Sequence, residues 1–168
     1  DREVDYLCQR ISERARSITE QLSVPPRSIE FDAQGIARVV GWAPRAGERG
    51  TIAFEKGERD GVRVLIGRVL RGGGQGSWRS HVELSGGRYR FEGRVRTTGM
   101  GPGGGACLRI SGQRRGWTPT KEGEWRQLNF PLDVDEGSAD LELVCEFGGS
   151  GGEAWFDEAS LRVVRIAE

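Results

Sequence analysis

Apolar and polar residues alternate in short runs along most of this 168-residue chain. Residues 139–147 alternate apolar with acidic positions, so that one side of a strand is apolar and the other is charged. A Gly-Gly-Ser-Gly-Gly segment follows at 148–152, and a second apolar run returns over 154–166. We predict that these two runs form a hairpin that closes an antiparallel sheet at the C-terminus.

Similar short runs recur from residue 28 onward, separated by turns in a chain that contains 27 glycines. The most regular run is 88–97, in which Tyr89, Phe91 and Val95 share one side and arginines occupy the other. A predicted tight turn at 85–87 separates it from the run 78–84. Nine or ten short strands without an intervening helix predict an all-β, antiparallel β-sandwich of the jelly-roll type.

Residues 1–23 follow a different pattern, with apolar positions at steps of three and four residues and no glycine or proline. This pattern predicts an amphipathic α-helix, which Pro25 and Pro26 end. We therefore divide the chain into an amphipathic helix with a Pro-rich linker (1–27) and a jelly-roll domain (28–168). The apolar stripe of the helix either docks on the sandwich or pairs with another chain, which includes self-association with a second copy.

The formal net charge is zero, because the chain has 25 basic and 25 acidic residues. A neutral sum provides no general attraction to nucleic acid or to an anionic membrane, so we predict neither as a partner. No apolar run is long enough for membrane insertion, and this chain shows no signal peptide.

Residue types that carry catalysis are sparse. His81 is the only histidine and lies in a predicted strand, without a Gly-x-Ser-x-Gly motif or metal-ligand spacing. The glycine runs lack the Lys-Ser/Thr of a phosphate-binding loop. The cysteines Cys8, Cys107 and Cys145 also lack metal spacing, and we predict that the last two are buried free thiols rather than a disulfide. We predict that the chain is not an enzyme.

Several short motifs occur in a characteristic order over residues 29–166. They are Phe31-Asp32, Gly41-Trp42, the runs 61–65, 78–84 and 87–89, Trp125, and Trp155-Phe156-Asp157-Glu158 with Leu161. Their order resembles the galactose-binding-like jelly roll of carbohydrate-binding modules from bacterial glycoside hydrolases. The resemblance implies a non-catalytic module of an exported protein, extracytoplasmic or secreted, that binds a saccharide weakly.

The resemblance also implies a structural calcium ion. The matching positions are Asp157 and, at the start of the sandwich, Asp32 or Glu30. Calcium needs six to eight oxygen ligands, of which these carboxylates supply only part. The alternative is that Asp157 caps a turn or pairs with an arginine.

A second implied site is a saccharide cleft on one face of the sandwich. Aromatic rings usually provide the platform of such a site, but the outward sides of the candidate strands are charged here. The candidate ligand-binding residues on them are Arg90, Arg94, Arg96, Arg109 and Glu142. These residues either form cross-strand ion pairs, with Glu142 and Glu146 neutralising the arginine strand, or recognise an acidic saccharide, a sulfate or a protein surface.

Trp117 is the tryptophan most suited to ligand contact. It lies in a loop, 113–123, that has no apolar periodicity, whereas the other four tryptophans lie at strand ends or in apolar runs. Trp117 either contacts a ligand or folds back as a lid on the core. The rival hypothesis for the whole chain is a structural or protein-interaction module that has no glycan ligand and is coupled to a partner or neighbouring domain through the N-terminal helix.

Overall fold

The computed structural model describes residues 27–118 and 121–166, which form ten β-strands and one short 3₁₀ turn, Glu158–Ser160. The all-β prediction is confirmed, whereas the predicted helix over 1–23 lies outside the described residues. The strands are β1 (Arg27–Ser28), β2 (Ile36–Arg38), β3 (Ala43–Ala46), β4 (Thr51–Arg59), β5 (Val62–Arg71), β6 (Gly74–Thr98), β7 (Gly105–Ile110), β8 (Arg126–Gly149), β9 (Glu153–Asp157) and β10 (Arg162–Arg165).

The ten strands form one sheet that folds over on itself to make two layers. The strands β6 and β8 pair along their length and belong to both layers. In layer A, the first half of β6 and the second half of β8 are flanked by β1, β3 and β7. In layer B, the second half of β6 pairs with the first half of β8 and with β9 and β10, and β2, β5 and β4 extend the sheet. The arrangement is the predicted β-sandwich.

The sheet changes layer where β6 passes through Ser85–Gly87, at a shift in its register with β8. The predicted tight turn at this point is wrong, because β6 continues as one strand of 25 residues. Gly86 allows the two backbones to approach closely, since a Cβ there would lie 2.8 Å from the carbonyl oxygen of Asp135 on β8. The glycines mark a bend within a paired strand rather than a reversal.

The predicted C-terminal hairpin is also wrong. The second half of β8 pairs with β6 and β7 in layer A, whereas β9 pairs with β5 and β6 in layer B. The glycine segment 148–152 therefore crosses between the layers. Alternation of apolar and charged residues determines which side of a strand is buried, but it does not specify the neighbouring strand.

The core fills the space between the layers. Layer A contributes Trp78, Leu143 and Phe147, and layer B contributes Phe91 and Phe156, all at most 2% exposed. The predicted apolar side of the run 139–147 is thus confirmed. Full burial of each such side chain stabilises the fold by roughly 1.5–3 kcal/mol.

Both cysteines in the described part of the chain are free and buried, as predicted. Cys145 points into the core, whereas Cys107 on the neighbouring β7 points away from it, so that the two thiols lie on opposite sides of layer A. Burial and the nearby carboxylate of Glu146 raise the pKa of the Cys107 thiol to about 11.

Candidate functional site

The side of layer A that points away from the core is polar and partly exposed. Because Trp78, Leu108 and Leu143 point inward, the residues next to them in each strand point outward. We call six of these outward residues the layer A face: Arg45, Arg79, His81, Arg109, Glu142 and Glu146.

Glu142 lies at the centre of this face and is only 12% exposed. Its Oε2 accepts a 2.7 Å hydrogen bond from Nη1 of Arg79, while its Oε1 lies 3.4 Å from Nε2 of His81 and 3.9 Å from Nη1 of Arg45. Burial acts to raise the pKa of Glu142, but the charge of Arg79 and a hydrogen bond from Ser111 outweigh it, so that the pKa is lowered. The carboxylate is therefore ionised among three basic groups.

Arg109 and Glu146 form a second, bidentate pair beside the first. Nε of Arg109 donates to Oε2 at 2.8 Å and Nη2 donates to Oε1 at 2.6 Å. Both side chains are 12–13% exposed. The hydrogen bonds that Arg109 donates to Glu146 raise the pKa of Arg109 against the effect of burial. Two parallel hydrogen bonds hold both groups in a fixed orientation.

Trp117 lies at one end of the layer A face. The loop that carries it returns alongside β7, where the N–H of Thr118 donates to the carbonyl of Ala106 at 3.0 Å. This places the indole over Gly148, where a Cβ would lie 2.8 Å from Cζ2 of the tryptophan. Gly105, the partner of Gly148 in the β7–β8 pairing, leaves room for the same side chain. Trp117 remains partly exposed.

The structure thus places three of the predicted ligand residues, Trp117, Arg109 and Glu142, on the same outward side of layer A, with Trp117 over Gly148 and Glu142 six positions away along β8. It places the other three in a different layer. Arg90, Arg94 and Arg96 lie on the outward side of layer B, because β6 changes layer before it reaches them. The hypothesis that Glu142 and Glu146 neutralise this arginine strand is therefore wrong.

Each layer B arginine has a carboxylate partner in its own layer. The pairs are Arg90 with Glu92, Arg94 with Asp157 and Arg96 with Asp60, at nitrogen–oxygen distances of 2.7, 2.5 and 3.0 Å. The guanidinium groups of Arg94 and Arg96 also lie over the rings of Trp125 and Trp155, at 5.6 and 4.9 Å from the ring centres. These contacts engage the three arginines within layer B.

The predicted calcium ligands do not form one site. Asp157 is 3% exposed, and its oxygens accept hydrogen bonds from Arg94 and from the N–H of Ala159. Asp32 closes the turn before β2 by accepting from the N–H groups of Gln34 and Ile36, both at 2.9 Å.

Pairing of β10 with β2 puts these two aspartates at opposite ends of β10, and Glu30 lies with Asp32 beside a cavity of about 470 Å³. Within 27–118 and 121–166, no group of three or more His, Cys, Asp and Glu residues is arranged to hold a metal ion. Calcium stays a prediction that these carboxylates do not support.

Comparison with known proteins gives matches among solved structures alone: no protein-family model and no curated protein matches the chain. TmCBM61, solved in complex with β-1,4-galactotriose, aligns with a TM-score of 0.52 and 16% identity, over 78% of this chain and 91% of its own. A carbohydrate-binding module of family 4 (CBM4) aligns with a TM-score of 0.51 and 14% identity, over 74% of this chain and 86% of its own. This is the fold of a carbohydrate-binding module.

The carbohydrate-binding-module fold inferred from the order of motifs is thereby confirmed, and identities this low concern the fold alone. The enzymatically active domain of tailspike protein 4 from bacteriophage CBA120 also aligns, with a TM-score of 0.50 and 9% identity. That match covers 80% of this chain but only 20% of the tailspike chain. In the described part of the chain, no helix has the length and apolarity to cross a membrane.

Two members of the layer A face, Arg45 and Arg79, are not among the candidate site residues that the sequence pattern indicated. Arg79 directly follows Trp78 in the run 78–84, and the alternation of that run predicts that the Arg79 side chain points outward. Arg45 lies in β3, where Pro44 and the surrounding small residues give no alternation. Only its pairing with β6, opposite Ser77, shows that it joins the layer A face.

Proposed function

We propose that this chain is a non-catalytic carbohydrate-binding domain of an exported bacterial protein and that it binds a saccharide weakly on the layer A face. The observation that carries the proposal is the position of a partly exposed tryptophan, Trp117, at the end of a row of fixed donors and acceptors. The fold supports it, because the similar structures include a module in complex with β-1,4-galactotriose. Export rests on the resemblance to modules of bacterial glycoside hydrolases.

The chemistry of this face suits a sugar. An indole face packs against the C–H groups of a pyranose ring, while polar side chains orient its hydroxyl groups. The ion pairs of Glu142 with Arg79 and of Glu146 with Arg109 hold donors and acceptors in place, so that little side-chain entropy is lost on binding. One aromatic platform on an open face supports weak rather than tight binding.

The same geometry argues against hydrolysis. A glycosidase needs one carboxylic acid whose pKa is raised so that it can protonate the leaving group. The pKa of Glu142 is lowered instead, and Glu146 is held by a bidentate arginine. His81 contacts a carboxylate, Glu142, rather than a hydroxyl or thiol that it could activate.

A glycan array that carries neutral and acidic saccharides tests the proposal. We expect the wild-type chain to bind at least one saccharide and Trp117→Ala to lose that binding. Trp125→Ala is the matched control, because Trp125 is also partly exposed but packs under Arg94 in layer B. Circular dichroism of each variant establishes that it is folded.

Absence of wild-type binding to every saccharide would overturn the proposal. Loss of binding in Trp125→Ala with retention in Trp117→Ala would keep a saccharide ligand but move its site to layer B.

A further inference from the structure

The basic groups around Glu142 outnumber the acidic ones. Arg45, Arg79 and His81 all approach this one carboxylate, within 3.9, 2.7 and 3.4 Å. The only other carboxylate of the layer A face, Glu146, is bound by Arg109. Among the six residues of the layer A face, three arginines stand against two carboxylates, so that Arg45 has no carboxylate of its own.

Arg45 is the arginine of this face whose hydrogen-bonding capacity is unused. Arg79 and Arg109 each donate short hydrogen bonds to a carboxylate. The guanidinium of Arg45 makes no hydrogen bond within the described residues, and its one ionic contact is the 3.9 Å approach to Glu142. A guanidinium group carries five N–H donors, so Arg45 has donors available for a ligand.

Arg45 is nevertheless partly buried, with 35% of its side chain exposed. Burial, followed by the charge of Arg79, lowers the pKa of Arg45, whose guanidinium stays protonated at neutral pH because its ordinary value is so high. Two like charges near one carboxylate make a location where an added anion is favourable.

Two more carboxylates, Glu83 and Asp140, lie on the outward side of layer A beyond these six residues. Both are exposed and lie opposite each other in the backbone register, and within the described residues neither forms an ion pair with Arg45. In the part of the chain that the structure describes, the one carboxylate at ion-pair distance from the Arg45 guanidinium is Glu142, at 3.9 Å, and that carboxylate already accepts a 2.7 Å hydrogen bond from Arg79.

We infer that the layer A face takes a saccharide that carries an anionic group, a carboxylate or a sulfate, and that Arg45 binds this group. The planar fork of an arginine matches both anions with two parallel hydrogen bonds. The inference rests on the proposed function, because it assumes that the ligand of this face is a saccharide. It adds the class of that saccharide and a residue that determines specificity.

Isothermal titration calorimetry with two matched pairs of polysaccharides tests the inference. Polygalacturonate is compared with its fully methyl-esterified form, which lacks the carboxylate charge, and dextran sulfate is compared with dextran. We expect the wild-type chain to bind one or both anionic members about tenfold or more tightly than the neutral partner. The two pairs distinguish a carboxylate from a sulfate.

Three variants separate Arg45 from a general charge effect. Arg45→Gln should lose about tenfold or more in affinity for the anionic ligand and little for the neutral one. Arg45→Lys keeps the charge but lacks the planar guanidinium group, so its affinity for the anionic ligand should lie between that of Arg45→Gln and that of the wild type. Arg88→Gln makes the same change in charge at an exposed site in layer B and should bind like the wild type.

Each contrary outcome has a distinct meaning. Equal or tighter binding of the neutral member in both pairs would overturn the inference and leave the proposed function standing. Equal losses in Arg45→Gln and Arg88→Gln would overturn the role of Arg45. Binding of none of the four polysaccharides here, nor of any saccharide on the array, would overturn both the inference and the proposed function.

Discussion

The guanidinium of Arg94 donates two hydrogen bonds to one carboxylate oxygen of Asp157, at 3.0 and 2.5 Å. From the sequence, the first residue was expected to contact a ligand and the second to bind calcium. The other oxygen of Asp157 accepts from the N–H of Ala159 at 3.1 Å and begins the 3₁₀ turn. The pair therefore links β6 to the segment that leads into β10, which is one of the alternatives that the sequence left open for Asp157.

Replacement of this carboxylate should destabilise the fold. We expect Asp157→Ala to lower the free energy of unfolding by about 1–3 kcal/mol, because Arg94 and the N–H of Ala159 both lose their acceptor. Denaturant unfolding followed by tryptophan fluorescence measures the change. Asp133→Ala is the control, since Asp133 is exposed and lies 3.6 Å from Arg88, and it should change stability by less than about 0.5 kcal/mol.

Calcium can be tested in the same experiment. If added calcium stabilises the wild type but not Asp157→Ala, the carboxylate is a metal ligand, and its assignment to Arg94 and the N–H of Ala159 is incomplete.

The alternation of apolar and polar residues predicted which side of each strand faces the core better than it predicted which strands lie next to each other. Phe147 and Phe156 lie in the core as expected, and Arg94 points outward as expected. The layer to which Arg94 belongs could not be predicted, because Gly86 reads equally well as a turn or as a bend within one strand. The ion pairs expected between Glu142 or Glu146 and the arginines of the run 88–97 therefore do not form.

The candidate site shows the same limit. The loop composition around Trp117 indicated a non-core tryptophan, but nothing in the sequence relates it to Gly148, which lies 31 positions further along the chain. The position of the indole depends on the pairing of β7 with β8, which are distant in the sequence. Sequence alternation thus supplied a list of outward residues, and the topology selected those that share a face.

Gly67 should be intolerant of any side chain. It lies in β5 beneath the ring of Phe147 from the opposite layer, and a Cβ there would come within 2.0 Å of the ring carbon Cζ. We expect Gly67→Ala to cost about 1–3 kcal/mol or more, because the ring would have to move within a close-packed core. Thermal unfolding by differential scanning calorimetry measures the effect.

Gly116→Ala provides the control, since a Cβ at that position would meet no atom within 4 Å. Similar losses in the two variants would show that the ring of Phe147 is not what excludes a side chain at Gly67.

The two buried cysteines, Cys107 and Cys145, should be unreactive in the folded protein. Both are buried, and burial raises the pKa of each thiol, that of Cys107 to about 11. Because the thiolate is the reactive form, we expect a Cys8→Ser variant to react slowly with Ellman's reagent at pH 8. Two thiols per chain should react once guanidinium chloride unfolds it. Fewer than two in the unfolded state, restored by a reductant, would indicate a disulfide and contradict the structure.

The stability contributed by Glu142 should depend on pH. Its folded-state pKa is lowered by Arg79 and Ser111, which outweigh burial, whereas a glutamate in the unfolded chain has a pKa of about 4.3. A lowered pKa contributes stability that is present above the unfolded value and is lost as pH falls through the folded value. We therefore expect Glu142→Gln to be less stable than the wild type at pH 6, and this difference to shrink by pH 3. Urea unfolding at the two pH values measures it.

Glu48→Gln is the matched control, because Glu48 is exposed at the turn between β3 and β4. It should differ little from the wild type at either pH. A difference between wild type and Glu142→Gln that stays constant from pH 6 to pH 3 would mean that the charge of Glu142 does not stabilise the layer A face. Its contacts with Arg79 and Arg45 would then act through packing and not through its charge.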